Sequence, residues 1–568
     1  MRGAGHRPGR RVVVAVVAAL TTACTAPPPA AEVPTPPPPP PVTGAPGPAV
    51  SGPTTLRVGL GPAPASIDPR LVIDDAGELV ARALHEGLVD LVPGGGVAPA
   101  GAETWRTSAD GTEIRFRLRR ATFHDGRPVT ARDHAAALLA ALDPSRPPYG
   151  REGILAGLRG AVVVAEDGTR TAGGPDDVLA AGGVEVRGTW DLVLRLTAPD
   201  PGFLHALTDV SLVPLPPGRD EAGAEGPPVG NGPFRLLEPP GDDAFLRLVA
   251  VPDHHRAPRV AELLLQFHPD DLDGRQRWEA LAAGRLQVAE LPPARRDDAL
   301  AVLGPARPVP PGPTAGHHVR TEAAVYAYAF DTTVAPYDDV RLRRALAAAV
   351  DRGAAAAAAG PAAVPAARLL PPGLLADGDA VAACPHCVRD PAIAAELFAA
   401  WVADADPVLP LPVTLSVPRR ADHAAVAEAV AAALEDVLDV RVTLRALDPE
   451  GLTRAVAAGE AALFRPSLRS GVGGAAAASS LLDPAFRATA PRPVAGTGWG
   501  DADSDALLDR LRGGSDPGAA AALDAALTGE AVVLPLVWLE RDLAVAPGVR
   551  GFALDPTGRW WPERVALG

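Results

Sequence analysis

The chain has 568 residues, 47% hydrophobic and 21% charged, which suits a soluble globular protein of roughly three or four domain-sized units. All 53 basic residues are arginine, Asn231 is the one asparagine, and the net charge is −15. That balance argues against a nucleic-acid partner, which needs a basic face, and suits a solvated extracytoplasmic surface. The absence of lysine reads as codon bias and carries no functional meaning.

Arg2, Arg7, Arg10 and Arg11 precede an apolar run, Val12 to Leu20. A mature membrane-spanning helix takes about 20 residues, so this shorter run reads as an export signal. It ends in Leu20-Thr21-Thr22-Ala23-Cys24, which is similar to a bacterial lipobox. Residues 1–24 are therefore expected to be a lipoprotein signal, with Cys24 lipidated and the protein anchored on the outer face of the cell membrane. Secretion after ordinary cleavage is the alternative. Residues 25–54 are rich in Pro, Ala and Thr, including Pro36 to Pro41, and predict an extended spacer without a core. Three cysteines is an odd count for an exported chain. With Cys24 acylated, Cys384 and Cys387 remain, and an oxidising compartment favours a short-loop disulfide between them. Free thiols, or a metal or redox pair around His386, are the alternatives.

The body opens with a strand at Leu56 to Gly59, then helical periodicity through Leu79, Leu84 and Leu88. Thr112 to Leu118 alternates as a strand and leads to Phe123-His124-Asp125-Gly126, where Asp-Gly predicts a tight turn. Thr130 is placed to cap a helix, with Asp133 three residues on in a capping-box position. Gly230, Gly232 and Pro233 suit a sharp turn into a strand. Ala354 to Ala359 predicts helix, and Asp390-Pro391 a helix start. Val413 to Val417 reads as a strand and Ala424 to Leu438 as an amphipathic helix.

Several of these strings, in order, resemble the signature of the family 5 extracellular solute-binding proteins, the oligopeptide, dipeptide and nickel receptors of ABC importers. Leu84-His85-Glu86-Gly87-Leu88 is similar to "L-(Y/F)-E-G-L", and Pro99 to Trp105 to "P-x-L-A-x-S-W". Phe123 to Asp133 resembles "F-H-D-G-x-P-(V/L)-(T/N)-A-x-D", and Val229 to Phe234 resembles "P-(V/I)-G-T-G-P-(Y/F)". Pro336 to Leu346, followed by Val350-Asp351-Arg352, is close to "P-F-x-D-x-R-V-R-Q-A-L" and "A-(I/V)-D-R". The resemblance implies an α/β, two-lobed periplasmic-binding-protein-like fold of the large type II peptide-binding subclass, crossed twice by the chain. Crossings are expected near Val325 to Thr332 and Val533 to Glu540. Residues 55–325 would form lobe 1 with an insert at about 101–200, residues 326–535 lobe 2, and residues 536–568 the return to lobe 1. It further implies a monomer without enzymatic activity that hands a peptide-like solute to a permease and its ATPase subunits. The alternatives are a non-peptide solute (opine, sugar or metal chelate) and an orphan receptor on the same scaffold.

By the same resemblance, Gly61, Pro62, Ala63, Pro64 and Ala65 form the loop that lines the pocket in peptide-binding relatives, and Tyr149 matches the end of a pocket tyrosine string. The relatives' "W-x-A-D-Y-x-D-P", whose first aspartate meets a peptide amino group, is replaced here by Phe464-Arg465-Pro466-Ser467-Leu468-Arg469-Ser470. Arg465, Arg469 and Ser470 are therefore candidate ligand contacts, with an anionic group as a possible partner. Arg341, Arg343 and Arg344 could reach a carboxylate, but a helix face paired with Asp338, Asp339 and Asp351 is expected. His85-Glu86 lacks the second histidine of a metalloprotease motif. His254-His255 and His317-His318 are read as solvated loop residues. No nucleophile elbow or phosphate loop is in place, so no catalytic residue, metal or cofactor is expected.

Overall fold

A computed structural model describes residues 55–568 except 73, 94–95, 144–151, 165–169, 219–227, 238–243, 306–314, 361, 375–383, 385, 467, 471–476, 489–495, 513–515 and 556–557. Cys24 and Tyr149 thus lie outside the described residues, as does the 25–54 tract.

One twelve-stranded sheet runs through the molecule. Its strands are β1 (Thr55–Leu60), β2 (Phe234–Leu236), β3 (Phe245–Ala250), β4 (Glu262–Phe267), β5 (Val288–Leu291) and β6 (Gly316–Phe330). They continue as β7 (Ala363–Pro365), β8 (Leu411–Pro418), β9 (Val440–Leu447), β10 (Leu463–Phe464), β11 (Leu468–Arg469) and β12 (Val533–Val545). The order is β2-β3-β4-β1-β5-β12-β6-β10-β8-β9, with β7 on β12 and β11 on β6. β6 and β12 pair antiparallel along their length, from Gly316 opposite Val545 to Ala329 opposite Val533. Their register breaks between Thr321 and Val325, where the sheet passes from one lobe to the other. An interrupted ladder bends and twists more readily than a continuous one. These two strands are the two passages of the chain between lobes.

Each half of the sheet has its own core. Lobe 1 buries Leu56, Val58, Leu265 and Val288 with Leu543 and Val545 of the returning chain. In lobe 2 successive residues of β6 serve opposite faces, as a two-residue period requires. Tyr328 and Phe330 pack with Leu346 and Val430 on one side. Val325, Ala327 and Ala329 pack with Leu482 and Leu523 on the other. A separate four-stranded sheet (Ala102–Thr107, Glu113–Leu118, Val184–Val186, Asp191–Arg195) carries a third core around Phe116, Leu138 and Leu194.

Strand direction places the site. β1, β4 and β5 are parallel, as are β8, β9 and β10. β5 runs toward Asp542 of β12, and the chain leaving β10 runs toward Val325 and Ala324 of β6. The carboxyl ends of both parallel sets therefore converge on the register break from opposite sides. Helix α1 (Asp75–Leu84) starts on the lobe 1 side of this junction. Its periodicity was expected to carry through Leu88, but it stops at Leu84, and Gly87 and Leu88 lead into a short strand, Val89–Leu91. Helix α2 (Ala131–Ala140) begins with the anticipated Thr130–Asp133 capping box. Helix α3 (Val340–Ala349) lies in lobe 2, and helix α4 (Ala421–Val437) follows β8 with its amino end toward the junction.

Candidate ligand-binding cleft

Four of the signature strings (Leu84–Leu88, Pro99–Trp105, Phe123–Asp133 and Val229–Phe234) meet one another in lobe 1, away from the strand ends, whereas Pro336–Leu346 leads into α3 of lobe 2. The Glu86 N–H donates to Asn231 Oδ1 and Asn231 Nδ2 donates to the Glu86 carbonyl, both at 2.9 Å. Gly101 N–H reaches the Gly87 carbonyl at 2.9 Å, and His124 N–H the Gly230 carbonyl at 2.8 Å. A Cβ on Gly230 would lie 1.8 Å from the Leu84 carbonyl oxygen, and one on Gly232 would lie 2.6 Å from its carbon. Only glycine allows backbones this close. These residues stitch the carboxyl end of α1 to its neighbours. Asp125 does no more than turn the chain and pair with Arg127 at 2.7 Å.

Glu86 is buried beneath three cations or potential cations. His255 Nε2 lies 2.8 Å from it, Arg256 Nη2 2.9 Å and His254 Nε2 3.6 Å. Burial opposes its charge, but Arg256 and the histidines outweigh burial and hold the carboxyl well below the usual range. The expectation of solvated loop histidines holds for His255, which is exposed in a turn, and fails for His254, whose side chain is only 7% exposed because a glutamate distant in sequence folds against it. Glu86, His254 and His255 gather donor atoms within 4.8 Å of one another. His254 Nδ1 accepts the Arg256 N–H at 3.1 Å, which leaves the neutral ring's proton on Nε2, the atom a metal would need. With Arg256 also on the carboxylate, the cluster is a buried ion-pair network. His317 and His318, by contrast, are not in a loop. They lie on β6, with His317 Nε2 3.4 Å from Asp542 and His318 edge-on to Phe552.

The arginines of α3 serve the frame. Arg341 pairs with Asp339 at 2.7 Å and with Asp404 at 2.5 Å. Arg343 donates to the Tyr337 and Glu530 carbonyls, and Arg344 to the Gly529 carbonyl. The expected face with Asp351 does not form: Asp351 caps the next helix by accepting the Ala354 N–H.

The strand ends collect the other candidates. Gly61 to Ala65 leave β1. Gly61 N–H donates to the Glu290 carboxylate, and the Gly61 carbonyl accepts from His268 N–H at 2.8 Å. Pro62 and Ala63 are exposed and Pro64 half-buried. Ala65 N–H donates to Asp74 Oδ2 at 2.9 Å, while Asp74 Oδ1 caps α1 through Gly77 N–H at 2.7 Å. The loop is thereby pinned to the start of α1. In lobe 2, the Arg465 guanidinium lies 5.0 Å from the centre of the Tyr326 ring. The Tyr326 hydroxyl is 3.0 Å from His423 Nδ1 near the start of α4. Ser470 is buried, and its N–H donates to the Ala323 carbonyl at 2.8 Å. Arg469 is exposed and reaches back to lobe 1, with Nη2 2.7 Å from Asp75 Oδ1 and Nη1 3.7 Å from Glu322 Oε2.

Glu322 sits in the register break. Burial raises its pKa, Arg469 opposes that, and Glu290 and Glu78 push it further up. The lobe 1 side of the junction is acidic (Asp75, Glu78, Glu290, Glu322) and the lobe 2 side carries Arg465 and Arg469. Sequence reasoning missed Glu290, Glu322, Tyr326 and His423, although the crossing at Val325 to Thr332 already contained Tyr326. Cys384 and Cys387, away from this junction, are joined as a disulfide with Cα atoms 5.2 Å apart.

Two half-sheets joined by two long strands, with a polar junction at their facing carboxyl ends, define a two-lobed solute-binding protein. Residues 96–488 match the model of the bacterial extracellular solute-binding proteins, family 5. The chain belongs to that family. It is 29% identical over 297 residues to the periplasmic murein peptide-binding protein MppA of Escherichia coli, covering 51% of each chain. It is 26% identical over 321 residues to the oligopeptide-binding protein OppA of Bacillus subtilis, covering 53% of each. The matched region thus spans about half the length of these curated relatives. Among solved structures, the murein tripeptide-binding MppA of E. coli superposes with a TM-score of 0.66 at 20% identity, over 91% of this chain and 99% of that one. AgaA of A. tumefaciens R10, in complex with agropinic acid, gives 0.65 at 20% identity over 90% and 99%. Among the described residues no helix is long and apolar enough to cross a membrane.

Proposed function

We propose that this chain is the substrate-binding component of an ABC importer, which encloses a peptide-like or other small solute between its lobes and delivers it to a permease and ATPase. The observation that carries this reading is the convergence of two sets of parallel strand ends on a junction crossed by only two strands. A solute bound there contacts both lobes, so its binding energy favours closure, and the closed form is what a permease can distinguish. The lobes are placed at residues 55–325 and 326–535, with 536–568 returning to lobe 1, and the protein acts as a monomer without enzymatic activity. Gly61 to Ala65, Arg465, Arg469 and Ser470 are proposed to line the cleft, together with Tyr326.

Peptide is the first solute class, by likeness to MppA and OppA. A second class is favoured by a specific substitution. Two arginines occupy the region where peptide-binding relatives carry an amine-binding aspartate, and AgaA was solved with agropinic acid. An anionic non-peptide solute fits that change. Native mass spectrometry of the protein purified without denaturation should reveal a retained solute, or one acquired from pooled short peptides or opines. Failure to bind any small solute, with turnover of one instead, would sink the reading.

A further inference from the structure

We propose that Arg469 and Asp75 form a clasp that holds the cleft partly shut before any solute arrives. This goes beyond the transport reading and needs no solute to be tested. Arg469 belongs to lobe 2: it lies on β11, and its neighbour Leu468 is in the lobe 2 core. Asp75 belongs to lobe 1, in the first turn of α1, whose Leu79 and Val80 pack in the lobe 1 core. The 2.7 Å contact between them therefore spans the junction.

Both ends of the clasp are firmly mounted. Asp75 follows Asp74, which is fixed by the Ala65 and Gly77 N–H groups, and its charge is favoured by the amino end of the helix. Arg469 is held in the sheet by the adjacent Ser470 N–H bond to Ala323. The guanidinium also lies 3.7 Å from Glu322 in the register break, so it neutralises charge on the hinge and the far lobe together. Beside it the ladder joining the lobes is interrupted, so the lobes can swing with little resistance from the sheet. A second cross-lobe approach brings Asp200 into the fields of Arg512, which favours its charge, and of Asp483, which opposes it. A solute entering the cleft must exchange its own groups for the clasp, and its affinity is lowered by the fraction of molecules found shut.

Small-angle scattering of the solute-free chain tests this. The side chains are 43% and 28% exposed, so the pair acts as a surface ion pair. Arg469→Ala should raise the open population roughly two- to fivefold, seen as a larger radius of gyration. Asp75→Asn should do the same, the double variant should open no further than either single one, and Arg469→Lys should stay close to the wild type. Salt at about 1 M should open the wild type but leave Arg469→Ala unchanged. Circular dichroism checks that each variant is folded; if Arg469→Ala is not, Asp75→Asn gives the same reading. An unchanged radius of gyration in the folded variants, or additive opening in the double variant, would overturn the clasp.

Discussion

His85 and His134 show what a single buried ring does to the pH range of this fold. Both are almost inaccessible, 3% and 1% exposed, and burial pushes their pKa values down to about 3 and about 4. His85 faces His124, Asp68 and Arg70, and His134 faces Asp133 and Glu86, none of which offsets burial. In the unfolded chain both titrate near 6.5. A base with a depressed folded pKa contributes stability that is intact above about pH 6.5 and is lost as pH falls below it. Glu78 adds to this only lower down: burial opposes its charge, but Arg559 and Arg82 hold it at about 2, against an ordinary 4.5. Urea midpoints between pH 7 and pH 5 should therefore fall, and His134→Gln should reduce the fall by about 1–3 kcal/mol. A flat profile over that window would contradict the buried neutral rings.

Among the elements, α1 joins the two functions of lobe 1. Its amino end meets Arg469 through Asp75, and its carboxyl end is stitched to Asn231, Gly230 and Gly101 by the signature strings. A shift at one end is therefore felt at the other. The Cys384–Cys387 loop is a local element of a different kind. It precedes the long helix Pro391–Ala405, and both sulfurs are buried. Closing so short a loop restricts the unfolded chain only modestly. Replacing both cysteines by serine should cost about 2 kcal/mol, measured by chemical denaturation, and alkylation without reductant should leave the native pair unlabelled. Ready labelling of Cys384 and Cys387 would show that the bond is absent in the purified protein.

At the scale of the whole molecule, Cys24 is expected to tether the protein to a membrane. Cys24→Ala should move the protein from the membrane fraction to the soluble fraction, and retention on membranes would overturn the lipid anchor. Sequence reasoning reached features whose causes are local. The Thr130–Asp133 box and the Asp390-Pro391 helix start depend on residues two or three apart, so their signals are complete in the string. It missed the Glu86 contact of His254 and His255 because Glu86 is 169 positions from His255. It could offer Arg469 only as a ligand contact because Asp75 is 394 positions away. Periodicity suggests which face of an element is buried but not which distant charge will face it. Residues whose roles depend on the meeting of two lobes were thus the least legible.

The placement of the signature strings has an evolutionary corollary. Gly101, His124, Gly230 and Asn231 secure one end of a helix, while the strand tips that would grip cargo belong to other segments. Paralogues can therefore keep these lobe 1 strings and still exchange one cargo for another. Grafting the tip loops of a distant cousin onto this frame should leave its folding intact while redirecting what it carries.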